Sequence, residues 1–269
     1  MTKHVPIFEV RAVGVTRGAH VLLDGVSLDV HAGELLVVMG ENGAGKSTLL
    51  RVLAGDFVPD RGDVRLNDRP LASWSALEQA RQRAVLPQHA SLVFPFTALE
   101  VVLIGRSPHD GGRPGAHDRA IAREAMRRTD ASQFAERSYP TLSGGERARV
   151  MLARVFAQVL HDESLSSPRA LLLDEPSAAL DIAHQHLAFT AIRSLVEREG
   201  IAVVAVVHDP NLAAAYADRV ALLKSGRLIA IGSVEDTLTE DALGACFSVP
   251  MKRLRHPTRD VPLLVAAPD

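Results

Sequence analysis

The stretch Leu35-Leu36-Val37-Val38-Met39-Gly40-Glu41-Asn42-Gly43-Ala44-Gly45-Lys46-Ser47-Thr48 decides the fold. Its first five residues are all apolar, with no polar alternation, which marks a strand buried on both faces. Such strands belong to parallel sheets covered by helices. The run stops at Gly40, and helix-compatible sequence begins near Lys46. Between them, Gly40 to Ser47 fits the pattern G-x-x-x-x-G-K-[ST], in the strand-to-helix setting that its mechanism requires. Gly40, Gly43 and Gly45 let the backbone curl tightly, so that N–H groups from Glu41, Asn42, Ala44 and their neighbours converge on phosphate oxygens. The helix that follows contributes the positive end of its dipole. Lys46 is expected to reach the β- and γ-phosphates of a nucleotide, Ser47 to ligate Mg²⁺, and Thr48 to add a phosphate contact.

Working outward, β-like runs precede this loop at 7–15 and 21–30, and short ones follow at 64–66 and 84–86. From 88 to about 162 the texture is helical, with predicted helices at 118–129 and 144–160 and a Gly/Pro-rich loop at 107–115. Buried-strand runs return at 170–173 and 201–207, separated by a helical pattern over 183–199. The runs 219–223 and 227–231, joined around Ser225-Gly226, predict a hairpin. Short helices are expected at 233–238 and 240–247, and an irregular tail from 249. Strand–helix alternation interrupted by a helical block predicts an α/β core carrying an inserted helical subdomain.

Composition narrows the class. The chain has 269 residues, 47% hydrophobic, with 30 Lys+Arg against 32 Asp+Glu. The single cysteine, Cys246, leaves no internal disulfide framework and no Cys-based zinc site. A net charge of -2 gives no nucleic-acid footprint. The longest apolar stretch, 201–207, falls well short of the ~20 residues that span a bilayer. The N-terminal residues carry no apolar secretion segment. The expectation is a soluble cytoplasmic protein.

Two further motifs carry chemistry. Leu171-Leu172-Leu173-Asp174-Glu175 is an apolar strand ending in two carboxylates. A strand-end Asp beside a phosphate loop holds Mg²⁺, which points to Asp174. Glu175 is placed to polarise an attacking water as general base. Strand alternation sends the two carboxylates in different directions, which suits two tasks. The third motif is Leu142-Ser143-Gly144-Gly145-Glu146, just before a long helical pattern. A serine and two glycines at a helix start form a second anion-binding nest. Ser143 with Glu146 also fits a capping box, which is compatible geometry.

With these three motifs in this order, the chain resembles the ATP-binding-cassette (ABC) ATPases, whose signature reads LSGGE or LSGGQ. The resemblance spans nearly all of 7–245. It implies a P-loop NTPase core with an N-terminal antiparallel β-subdomain and an inserted α-helical subdomain. The implied ATPase domain covers 1–248, with core and β-subdomain at 1–87 and 165–248, the helical subdomain at 88–164, and a tail at 249–269. Carried over by motif, Gln88 resembles the Q-loop glutamine that contacts Mg²⁺ or its water. Asp181 resembles the D-loop aspartate that crosses a dimer interface, and His208 the switch histidine that contacts the γ-phosphate. The family usually stacks an aromatic ring on adenine before the second strand. Here Arg17 or Gly18 falls at that place, with His20 the nearest ring. A guanidinium also lies flat on a purine, so Arg17 is the expected adenine contact.

The resemblance further implies a head-to-tail homodimer in which Ser143, Gly144, Gly145 and Glu146 of one copy close over ATP and Mg²⁺ held by the other. It implies two separate transmembrane permease subunits, a periplasmic substrate-binding protein acting through them, no nucleic-acid partner, and a peripheral place on the cytoplasmic face of the inner membrane. The segment 91–97, with Phe94 and Phe96, is either a grip for the permease or subdomain core. The stretches 94–102, 105–109 and 181–186 look like those of the heme (hemin) importer ATPases, with iron-siderophore and cobalamin importers as the alternative. A non-transport ABC ATPase is less favoured, because those proteins usually carry two cassettes or long coiled coils. His184 and His186, at i and i+2, do not share a helix face and are expected to be polar surface residues.

Overall fold

The computed structural model describes residues 6–88, 95–160 and 169–268. Strand β3 (Leu35–Met39), fully buried, lies within a six-stranded sheet. Its parallel neighbours are β8 (Ala202–Val206) and β9 (Arg219–Lys224). Beyond β8 come β7 (Ala170–Asp174) and then β6 (Arg83–Leu86), also parallel. Strand β10 (Arg227–Ser233) closes the other edge antiparallel to β9, forming the expected hairpin.

Strand alternation divides the core. Leu35, Val37 and Met39 join a cluster with the helical block, whereas Leu36 and Val38 join one with the N-terminal sheet. That second sheet is antiparallel and runs β2 (His20–His31), β1 (Pro6–Arg17), β4 (Arg61–Leu66), β5 (Arg69–Pro70). Helix α1 (Lys46–Leu53) sits in the second cluster through Leu49, Leu50, Val52 and Leu53.

Among the helices between β6 and β7 are α3 (Ala98–Ile104), α4 (Ser107–Asp110), α5 (Ala116–Arg128) and α6 (Gly144–Val159). The loop expected over 107–115 therefore begins as a helical turn. Pro108 is tolerated at its start, and Gly111 and Gly112, at φ 64° and 84°, end it. Arg106, only 2% exposed, ties the block together. It donates to the carbonyls of Ala157 (2.8 Å) and Leu160 (3.1 Å), at the end of α6, and to Asp118 Oδ1 at 3.1 Å. Helix α2 (Ala76–Gln82), with a Ser75/Glu78 capping box, and helix α8 (Pro210–Tyr216) were not singled out by periodicity; at seven residues each they are too short for a strong signal.

Helix α7 (Ile182–Glu199) follows β7, and α9 (Val234–Thr237) and α10 (Glu240–Phe247) follow β10, close to expectation. The tail departs from it. In place of an irregular segment, β11 (Met251–Arg255) and β12 (Pro262–Ala266) form an antiparallel hairpin packed on α8 and α10. Met251 is the one residue of β11 that is buried, and Leu254 points outward at 52% exposed, so the strand left almost no apolar period to read. Among the described residues no helix is long and apolar enough to cross a membrane.

Candidate nucleotide site

Adjacent parallel strands β3, β8, β7 and β6 all release their chains at the same edge of the sheet. In that order they deliver the Gly40–Ser47 loop, His208, the Asp174–Glu175 pair and Gln88. Ligands of open α/β sheets bind outside the carboxyl ends of the strands. Topology alone therefore gathers residues that are scattered along the sequence.

The loop's path depends on glycine. Gly40 has φ 154°, and a Cβ there would lie 2.2 Å from the Leu223 carbonyl. Gly45, at φ 106°, would meet the Leu22 carbonyl at 2.7 Å. A bond from Gly226 N–H to Ala44 O (2.9 Å) ties the loop to the β9–β10 turn. Lys46, 6% exposed, lies under the loop and donates to the carbonyls of Gly40 (2.8 Å) and Glu41 (2.9 Å). Burial lowers its pKa, against the pull of the Glu175 and Asp174 charges. Asn42 and Gly43 are exposed and Ser47 and Thr48 half-buried at the start of α1, so the cradle's mouth is open to a ligand.

The two strand-end carboxylates separate as alternation predicts. Asp174 turns toward α1, where Ser47 hydrogen-bonds to it. Burial raises its pKa and Glu175 adds to the rise, outweighing Ser47, Arg51 and Lys46. Glu175 takes a left-handed backbone, φ 53°, uncommon for a residue with a side chain. Its Oε1 lies 2.6 Å from His208 Nε2. Burial pushes its pKa up, but hydrogen bonds from His208 and Gln88, with the His208 and Lys46 charges, hold it below the usual value. Glu175 is thus kept ionised and aimed by two partners.

Two clefts meet at this edge. One, about 160 Å³, is lined by Ser47, Arg51, Asp56, Gln88 and Asp174 among others. The other, about 210 Å³, carries Gln88, Asp174, Glu175, Gly144 and Arg147. Arg51 and Arg147 escaped the sequence reading. Each stands at i+4 from a motif serine, Ser47 and Ser143, and so shares its helix face, a signal that was available.

Ser143 caps α6, accepting from Glu146 N–H at 3.3 Å, while Glu146 Oε2 accepts from Ser143 N–H at 2.7 Å. Ser143 and Gly144 are exposed, and a Cβ on Gly144 would meet nothing within 4 Å. The nest therefore faces outward. Asp181 caps α7 through His184 N–H at 2.9 Å and also meets the His184 ring. His186 turns instead to the Tyr216 hydroxyl, 2.9 Å away. Arg17 lies over the Phe57 ring, 4.9 Å from its centre, with Asp60 at 3.5 Å. Phe96 is 38% exposed, and Phe94 lies outside the described residues.

Among the described residues no cluster of three or more His, Cys, Asp or Glu side chains forms a metal cage. Mg²⁺ needs none, because phosphates and water complete its octahedron. Asp174 Oδ1 is buried and makes no hydrogen bond, a ready acceptor beside Ser47. With the Gln88 amide oxygen, this all-oxygen donor set fits Mg²⁺.

A family model described as ABC transporter matches residues 23–178, more than half of the chain. The chain belongs to the ABC transporter family. The hemin import ATP-binding protein HmuV of Gloeobacter violaceus is 50% identical, covering 94% of this chain and 91% of its own length. The HmuV protein of Methylobacillus flagellatus is 47% identical, covering 97% and 96%. An inward-facing, metal-chelate type ABC transporter superposes with a TM-score of 0.82 at 28% identity, covering 97% of both chains. The ATP-binding cassette MJ0796, in a dimeric post-hydrolysis state with ADP and Pi, gives 0.73 at 27% identity, covering 84% of this chain and 98% of that one. This ABC ATPase binds ATP and couples its hydrolysis to transport.

Proposed function

We propose that the chain is the ATP-hydrolysing subunit of a bacterial hemin importer. The contact of Glu175 Oε1 with His208 Nε2 at 2.6 Å, at the edge where the phosphate loop opens, is the observation that carries the enzymatic half. Lys46 and the loop N–H groups bind the β- and γ-phosphates, Thr48 supplements them, and Arg17 flanks the base. Ser47, Asp174 and Gln88 would hold Mg²⁺, which when bound neutralises charge between the β- and γ-phosphate oxygens. Glu175 orients a water and takes its proton, and His208 faces the γ-phosphate while fixing the Glu175 carboxylate.

The outward-facing Ser143–Glu146 nest supports a site completed by a second copy. Two such copies related by a two-fold axis exchange signatures across one interface, with Asp181 at the seam. The dimeric state of the MJ0796 cassette is consistent with this reading. Closure draws on differential affinity: the closed pair must bind ATP better than ADP. Two permease subunits transmit the motion from the cytoplasmic face of the membrane, and a periplasmic binding protein presents the cargo to them. The domain division at 88 and 164 follows the same reading.

Hemin as cargo rests on the names and near full-length similarity of the HmuV relatives. Reconstitution of the chain with its permease and binding protein tests it. Hemin should stimulate ATP turnover, and ferric siderophore and cobalamin should not. Stimulation by either of those instead reassigns the cargo and leaves the ATPase reading intact.

A further inference from the structure

Val207 N–H donates to Val38 O at 3.2 Å, which fixes the chain as it enters His208. On the exit side the chain turns directly into α8, capped by Asp209, whose Oδ1 accepts from Asn211 N–H at 2.8 Å. The Asn211 side chain leaves this turn and meets the C-terminal hairpin. Its Nδ2 donates to Leu264 O at 3.1 Å, and its Oδ1 accepts from Leu264 N–H at 2.8 Å. The amide thus pairs with β12 as a neighbouring peptide group would, satisfying both backbone groups of one residue. Leu264 itself is 4% exposed and belongs to the same apolar cluster as Val207, Leu212 and Ala213. The far end of α8 is held as well, through Tyr216 and His186.

We propose that the C-terminal hairpin sets the position of His208, and that Asn211 is the positioning residue through which it acts. The proposal rests on the ATPase reading above. His208 lies between two clamps, one from the central strand and one from the last strand of the chain. The 2.6 Å contact from its Nε2 to Glu175 tolerates little drift of the backbone that carries it. Residues 249–268 thereby become part of the catalytic apparatus without touching the nucleotide. A hairpin that only covered the core edge would need no two-pronged contact with the switch turn.

A double-mutant cycle in the full-length chain separates the two cases, read by steady-state and single-turnover ATP hydrolysis. Asn211→Ala should lower kcat about 10- to 100-fold, the scale of a small misplacement in an active site, with KM for ATP unchanged. In the His208→Ala background the same substitution should change kcat less than about twofold, because its route of action is already gone. Asn211→Asp keeps the acceptor for Leu264 N–H but sets a carboxylate oxygen against the Leu264 carbonyl, so it too should lower kcat, and it serves as the second variant if the alanine variant folds poorly. Equal losses in both backgrounds, or full activity of Asn211→Ala, overturn the proposal. A wild-type chain with no ATPase activity overturns the nucleotide reading and this inference with it, whereas an active wild type isolates the failure to Asn211.

Discussion

Asp174 and Glu175 are neighbours in sequence with opposite electrostatics. Burial raises the pKa of Asp174, whereas His208 and Gln88 hold that of Glu175 down against its own burial. An acid whose folded-state pKa lies above its unfolded value favours the protonated fold, so ionised Asp174 works against stability. That penalty is absent below the unfolded pKa of about 3.9 and grows as pH rises toward the folded value. Asp174→Asn should therefore raise the melting temperature in EDTA at neutral pH, by about 2–4 °C for a gain near 1 kcal/mol. The gain should shrink toward about pH 4, and Mg²⁺-dependent turnover should be lost. A variant less stable than wild type at neutral pH would refute this account of the buried carboxylate. Glu175→Gln should retain ATP binding while turnover drops about 10²–10⁴-fold, the usual range for a general base; phosphate release and equilibrium nucleotide binding read the two quantities. Undiminished turnover removes Glu175 from that role. For Arg17, loss of the guanidinium in Arg17→Ala should weaken ATP binding about 2- to 5-fold, as an exposed stacking contact does. Unchanged affinity in a competition titration rejects the contact.

Elements differ in how plainly they were written in the sequence. The loop at Gly40–Ser47 was fully legible, because strand, turn and helix are contiguous and each demands its own residue type. Gln88 and His208 were legible only through family resemblance; their meeting with Glu175 is a product of strand order, which no local pattern encodes. Arg106 lies within the 105–109 stretch of the subfamily resemblance, yet nothing in that stretch reveals that its guanidinium is buried at the end of α6 and paired with Asp118. Arg106→Ala opens two buried carbonyls and removes the cation beside the half-buried Asp118, and should destabilise the chain by about 2–4 kcal/mol. Urea unfolding measures it, and a loss under about 1 kcal/mol would show that the pair is better solvated than its burial implies. The tail hairpin was illegible for a different reason. Its strands bury few side chains, and the pairing is held by backbone bonds and by polar contacts from Asn211, Glu235 and Glu240.

At the scale of the molecule, the Ser143–Glu146 nest faces outward on α6, while the phosphate loop opens at the sheet edge. Lys46→Ala alone should lose ATP affinity and turnover together, as the proposed double role of the ammonium in binding and phosphoryl transfer requires. Ser143→Arg alone should bind ATP and fail to close. The decisive measurement is ATP turnover of a mixture of Lys46→Ala and Ser143→Arg chains. If each site joins the loop of one copy to the signature of the other, a mixed dimer contains one site built wholly from intact parts. Turnover should then rise clearly above that of either variant alone, whereas a chain carrying both substitutions should rescue neither variant and should lower the turnover of wild type mixed with it. A mixture no more active than its separate components would contradict the shared site.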